Sequence, residues 1–197
     1  MSTFIAMCLF ALVTSISPGP VNLIATSTGA NYGFQRTIPH ILGATIGFTS
    51  ILVLIGIGLL KIIELNPNII QYIRYLGSAF LLYMSYKIAF SSLKSNSSHS
   101  QQSPPNLLEG LLCQWLNPKA WIVASAGITS FSRDIESNRF LIVLFSGSFF
   151  IVCFISISIW AILGVSVQKH LNNSSNCRYF NYIMAGMLSL TVLYMLF

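Results

Sequence analysis

The chain has 197 residues, of which 54% are hydrophobic and only 7% are charged. Soluble domains carry about 25% charged residues, so this composition excludes a protein whose whole surface faces water. The ten Lys and Arg residues outnumber the four acidic residues and give a net charge of +6. They stand singly between apolar runs, without a basic stripe or recognition aromatics, so they indicate loops that flank membrane spans rather than a nucleic-acid partner.

Six apolar segments follow one another along the chain and predict an all-α membrane protein with six transmembrane helices. A helix needs about 20 residues to cross the hydrocarbon core, and each segment approaches or exceeds that length. The segments are 4–26, 38–60, 69–91, 107–131, 139–167 and 178–197, and the polar connectors lie at 29–36, 61–68, 92–106, 132–138 and 168–177. The connector 92–106 is rich in Ser, Gln and Pro, which predicts a flexible loop between two three-helix halves, 1–91 and 107–197, of a single transmembrane domain.

The first segment contains Ser17-Pro18-Gly19-Pro20, where a membrane span should be uninterrupted. Two prolines and a glycine stop a helix. The interruption, and the lack of positive residues before the apolar run, are not typical of a cleavable signal peptide. Ser17 followed by Pro18 predicts an N-cap and the first position of a new half-helix within the span.

The fourth segment contains a second break, Asn117-Pro118-Lys119, one hundred residues further along the chain. Asn117 and Pro118 repeat the pattern of an N-cap followed by proline at the first helical position. Each half has three spans, an odd number, so equivalent helices in the two halves must run in opposite directions. The pattern predicts an inverted repeat whose broken first helices place a transport site near the membrane midplane.

The start of a half-helix presents unpaired N–H groups and a partial positive charge, for which a carboxylate is a natural ligand. Lys119 adds a full charge there, and it should face a cavity or a partner unless it snorkels to the interface. Asn22 and Gln114 are further polar positions that suit a ligand or an interhelical hydrogen bond equally well. The candidate substrate-binding residues are Ser17, Pro18, Gly19, Pro20, Asn22, Gln114, Asn117, Pro118 and Lys119.

Other chemistries have little support in the sequence. The four cysteines show no CxxC and no metal-ligand spacing, the spans hold no Ser-His-Asp set, and no Gly-rich phosphate loop occurs, so we predict no catalytic residue, metal or cofactor. Cys8 and Cys113 lie in the first and fourth segments, as the redox pair of a membrane thiol–disulfide carrier could. Cys8 lies ten residues before Pro18, whereas Cys113 lies five residues before Pro118. This unequal spacing favours a role in packing over a redox pair. A non-transporting membrane scaffold is the second alternative.

Three stretches carry a resemblance to a known family. SISPGPVNLIATSTGANYGFQRTIPHILGATIGF looks like the first signature of the lysine exporter (LysE)-type translocators, especially their homoserine/threonine-resistance branch. GLLCQWLNPKAWIVASAG resembles their second signature, and YLGSAFLLYMSYKI is similar to their third-span pattern, so the resemblance covers essentially the whole chain. It implies export of amino acids or small derivatives from the bacterial cytoplasm, driven by an ion gradient rather than ATP. The functional positions that it implies are Ser17, Pro18, Gly19, Pro20, Asn22, Asn117, Pro118 and Lys119.

One departure from the family bears on the substrate. Many relatives carry Asp directly after the glycine that Gly47 matches, whereas this chain has Phe48, and its four acidic residues lie at or near segment ends. We therefore predict a secondary transporter that exports small neutral amino acids by alternating access across the bacterial inner membrane. Its expected partners are the amino acid, a coupling ion for which the proton is a candidate, the lipid bilayer and a second copy in a homodimer.

Overall fold

The computed structural model describes residues 2–66, 68–91, 103–169 and 174–196, which form helices without a strand. The predicted all-α class is therefore confirmed for this part of the chain. In chain order the helices are α1 (Ser2–Ile16), α2 (Pro20–Tyr32), α3 (Phe34–Leu54), α4 (Leu60–Leu65), α5 (Asn68–Ala89), α6 (Leu107–Trp115), α7 (Pro118–Ser130), α8 (Ser132–Ser137), α9 (Phe140–Gln168) and α10 (Ser174–Leu196). A π-helical turn, Ile55–Leu59, joins α3 to α4.

Three of the described helical stretches are long and apolar enough to cross a membrane: Phe34–Leu65, Phe140–Gln168 and Ser175–Leu196. A fourth span results if α1 and α2, which meet at an angle of 59°, are counted as one broken crossing. Helices α6 and α7 have 9 and 13 residues, so each alone is too short to span the hydrocarbon core. The described residues therefore give three or four candidate spans, and the six-span inverted repeat stays a prediction.

Three predicted connectors are largely helical instead of being loops, and in the 61–68 connector α4 continues to Leu65 and α5 begins at Asn68. Between α2 and α3 only Gly33 is non-helical, with a φ of +82° that glycine adopts without steric cost, so the chain turns within one residue. The 29–36 connector was thus predicted too long. Residues 132–137 of the 132–138 connector form α8. Most of the 92–106 connector, residues 92–102, lies outside the described residues.

Close backbone contacts at glycines fix the packing of two helix pairs, α3 with α6 and α2 with α9. A Cβ on Gly43 or Gly110 would collide with the backbone of Leu107 or His40, which brings α3 against α6. A Cβ on Gly29 would likewise collide with the Ala161 carbonyl, and this contact brings α2 against α9. Small residues allow membrane helices to approach closely enough for extensive van der Waals packing. These two helix pairs hold the two chain breaks close to each other.

Candidate functional site

The first break separates α1, which ends at Ile16, from α2, which begins at Pro20. Gly19 is the N-cap, with extended backbone (φ −174°, ψ 175°), and Pro20 occupies the first helical position. The prediction that Ser17 caps the new half-helix is therefore wrong. Of the two prolines, Pro20 starts the helix with its fixed φ, so the residue before it, Gly19, becomes the N-cap. Glycine has no side chain, so the first turn of α2 has no side-chain cap.

The end of α1 is held by two side chains that approach from other helices. The Asn22 amide nitrogen in α2 donates to the carbonyls of Ser15 and Ser17 at 3.0 and 2.9 Å. The Trp160 indole nitrogen in α9 donates to the Ile16 carbonyl at 3.0 Å. The last carbonyls of a helix have no partner within it, so these bonds satisfy groups that would be costly to leave unpaired in hydrocarbon. The nitrogen of Asn22 thus supports the break.

The second break follows the prediction more closely. Helix α6 ends at Trp115, and α7 begins at Pro118 with Asn117 as its N-cap. The Asn117 side-chain oxygen accepts a hydrogen bond from the Lys119 backbone N–H at 3.1 Å, which confirms the predicted cap. The Trp121 indole donates to the Trp115 carbonyl at 2.8 Å and satisfies the end of α6.

Lys119 joins the two breaks. Its Nζ donates to the Ser17 hydroxyl at 2.8 Å and to the Pro18 carbonyl at 3.2 Å. The ammonium group thus reaches across to the first break, which favours the cavity-facing interpretation over snorkelling along its own helix. The one ion pair within the described ranges joins Lys87 to Glu109, so no described carboxylate balances Lys119.

A cavity lies where the two breaks meet. The space that water-sized molecules can occupy in it is about 50 Å³, and the total empty volume, with the open mouth included, is about 450 Å³. Pro18 and Pro118 do not line it, although Pro18 binds Lys119 through its carbonyl. Seven of the nine candidate residues line the cavity: Ser17, Gly19, Pro20, Asn22, Gln114, Asn117 and Lys119.

The polar groups of this cavity gather around the start of α2. Because Gly19 lacks a capping side chain, the backbone N–H groups of Val21 and Asn22 have no hydrogen-bond partner among the described residues. The Gln114 side chain, which is buried, likewise has none within the described ranges. Together with the Lys119 ammonium, these donors form a positive region suited to an anion.

The opposite wall is apolar, and sequence reasoning missed it. The rings of Phe48 and Phe149 stack with their centroids 4.5 Å apart, and Cys153 and Ile157 continue the wall along α9. The spacing 149, 153, 157 marks one face of a helix. That signal could have been found, but α9 is apolar on every side, so its sequence did not separate a cavity face from a lipid face. Cys8 and Cys113 are free and do not line the cavity.

Residues 12–197 match the family of LysE type translocators. The chain belongs to this family. The resemblance drawn from the two break motifs is thereby confirmed, and the chain is a multi-pass membrane translocator of an efflux family. No solved structure matches it.

Two curated relatives of this LysE-type translocator are distant in sequence and share one name. A "Cysteine/O-acetylserine efflux protein" of Salmonella choleraesuis (strain SC-B67) is 24% identical over 192 residues, which cover 93% of this chain and 92% of the relative. A protein of the same name from Escherichia coli (strain K12) is 23% identical over 126 residues, 64% of each chain. These names do not test the homoserine/threonine-resistance branch, which stays a prediction.

Proposed function

We propose that this LysE-type translocator exports small neutral amino acids, and that the substrate carboxylate binds between the start of α2 and Lys119. The observation that carries the proposal is the position of the Lys119 Nζ, 2.8 Å from the Ser17 hydroxyl and beside an uncapped helix start. Lys119 is half-buried, and an ammonium group without a counter-charge is costly within a membrane. A carboxylate would supply that charge and would accept hydrogen bonds from the free N–H groups of Val21 and Asn22.

The cavity's chemistry supports a neutral substrate. None of its lining residues is acidic, and Lys119 would repel a cationic side chain. The wall formed by Phe48, Phe149, Cys153 and Ile157 suits a small apolar or weakly polar side chain. A water molecule needs about 10–15 Å³ of such space, so the 50 Å³ cavity holds about four waters and favours a small substrate over a large one. Cysteine and O-acetylserine, for which the relatives are named, are also small and neutral.

We further infer that the two halves form an inverted repeat and work by alternating access in the bacterial inner membrane. Helix α3 of the first half packs on α6, the half-helix before the second break, and α9 of the second half packs on α1, the half-helix before the first break. Reciprocal pairs of this kind are expected when two halves are related by a two-fold axis in the membrane plane. The contact of Lys119 with Ser17 and Pro18 would then break and re-form as the site opens to either side.

Competition in membrane vesicles tests the proposed substrate. Unlabelled amino acids and their analogues compete with a labelled small neutral amino acid for transport by the full chain. We expect small neutral amino acids to compete, and the corresponding amines, which lack the carboxylate, to fail. Equal competition by the amines would contradict the carboxylate site. If no amino acid competes, the result favours the alternative of a non-transporting membrane scaffold.

A double variant separates transport from the thiol–disulfide alternative. Cys8→Ser with Cys113→Ser leaves the cavity lining unchanged, because neither residue lines it. We expect amino-acid export to continue in this variant. If the variant loses both a thiol-oxidising activity and export, the result favours the electron carrier instead.

A further inference from the structure

His40 is a buried, titratable side chain that the proposed substrate site does not use. It lies in α3 immediately after Pro39, its exposed fraction is 0%, and neither ring nitrogen has a hydrogen-bond partner among the described residues. A neutral imidazole still carries one N–H donor, and leaving such a donor unsatisfied in the interior costs about 1–3 kcal/mol. Buried polar groups are nearly always paired, and His40 is the one titratable side chain among the unpaired buried groups of the described ranges, so a partner gained in another state would remove this cost.

Three helices bring polar or charged groups near the ring. Helix α2 contributes the Val21 carbonyl, which lies close to the ring but outside the geometry of a full hydrogen bond. Helix α6 contributes Glu109, which attracts a positive charge on the ring, and α5 contributes Lys87, which repels one. The close contact between Gly110 and the His40 backbone places α6 directly against this part of α3.

The two charges are already engaged with each other. The Lys87 Nζ lies 2.7 Å from a Glu109 carboxylate oxygen, and both side chains are largely buried. Glu109 also accepts a hydrogen bond from the Tyr83 hydroxyl at 3.4 Å and binds the Asn106 backbone N–H at 2.8 Å. A proton on His40 would therefore compete with Lys87 for the same carboxylate. Protonation of the ring is thus linked to the contact between α5 and α6.

We propose that His40 is the proton-binding site that couples amino-acid export to a proton gradient. Val21 provides the link, because it faces the His40 ring and also offers a free N–H to the substrate cavity. A ring nitrogen takes a proton from the compartment that receives the amino acid, and Glu109 balances the resulting imidazolium. The ring returns that proton to the compartment that the amino acid leaves. Each cycle thus moves one proton inward for one zwitterion outward, and one net positive charge enters.

The proposal rests on the proposed function, and the experiment separates the two. The purified chain is reconstituted in proteoliposomes that contain a pH-sensitive dye, and a labelled neutral amino acid is followed with and without an imposed pH gradient. We expect the wild type to move protons with the amino acid. His40→Gln should still bind the amino acid and exchange it between the two sides, but should lose gradient-driven accumulation and proton movement. The matched control, His99→Gln in the 92–106 connector, should behave as the wild type.

Two results would overturn the proton site: a wild type that accumulates the amino acid without moving protons, or a His40→Gln variant with an unchanged proton-to-substrate ratio. If the wild type neither binds nor exchanges any amino acid, the proposed function is wrong, and the proposed coupling is wrong with it.

A second pair of variants keeps the test valid if His40→Gln does not fold. Lys87→Gln and Glu109→Gln break the same ion pair, so a purely structural effect should move both in the same direction. Removal of Lys87 favours a proton on His40, whereas removal of Glu109 disfavours it. The pH midpoint of transport should therefore rise by about one unit in the first variant and fall by about as much in the second. Shifts in the same direction, or none, would overturn the proposal.

Discussion

The two helix breaks share one construction and differ at one position. In both, proline starts the second half-helix, and a tryptophan indole satisfies a carbonyl at the end of the first. In the second break, however, Asn117 caps its own helix, whereas Gly19 leaves the start of α2 uncapped. A capped start is already satisfied, whereas the N–H groups of an uncapped start need water or a ligand as their partner. Under the proposed function, the first break therefore supplies the anion site and the second supplies the cation beside it.

Removing the first break should have the largest effect. Replacing Pro18, Gly19 and Pro20 together with Ala should allow α1 and α2 to join in one helix whose backbone groups are satisfied internally. We expect complete loss of amino-acid transport with normal insertion, measured by vesicle transport and by the amount of protein in the membrane fraction. Transport at the wild-type rate would mean that the break serves packing alone.

Lys119→Gln should have the next largest effect, because it removes the cation and keeps a polar side chain. Loss of a charge-assisted hydrogen bond costs about 1.5–3 kcal/mol, which corresponds to an affinity about 10 to 150 times weaker. The measurement is the binding constant of a neutral amino acid for the purified protein. Lys61→Gln, at an exposed position in α4, is the matched control and should bind normally. An unchanged affinity in Lys119→Gln would exclude the pairing with the carboxylate.

Gly19→Asn should make the first break resemble the second. The extended backbone at Gly19 accepts any residue, and an added Cβ would meet its nearest atom, the Lys119 Nζ, at 3.4 Å. The new side chain can cap α2 and compete with the substrate carboxylate for the same N–H groups. One neutral hydrogen bond is worth about 1 kcal/mol, so we expect affinity to fall about five-fold in the binding assay. Tighter binding would show that the substrate does not use these groups.

Asn117→Gly is the reciprocal change and should have the smallest effect. Replacement of an Asn cap by Gly costs only a few tenths of a kcal/mol, so the melting temperature of the purified protein should change little. Substrate affinity should stay near the wild-type value, because the second break positions Lys119 rather than binding the carboxylate through its own N–H groups. A loss of affinity as large as that of Gly19→Asn would contradict the proposal that only the first break binds the carboxylate through its N–H groups.

The sequence predicted the breaks because proline and glycine act locally, but it did not locate the start of α2. Pro18 and Pro20 both fit the first helical position, and the choice depends on Asn22 and Trp160, which hold the end of α1 from distant parts of the chain. The apolar wall was equally inaccessible, because Phe149 would suit lipid and cavity alike. The amide pair between Asn31 and Asn181, which joins α2 to α10, also depends on tertiary contact.

The indole caps have a practical consequence for anyone who studies this translocator. The chain has three tryptophans, Trp115, Trp121 and Trp160, and all three belong to the breaks. Trp115 and Trp121 also touch edge to face, with ring centroids 5.8 Å apart. Indole emission responds to hydrogen bonding and to nearby charge, so the tryptophan fluorescence of the protein originates at the two breaks, next to the candidate cavity. The unmodified chain therefore contains its own optical reporter, and an amino acid that enters the site should change the colour or the yield of that light.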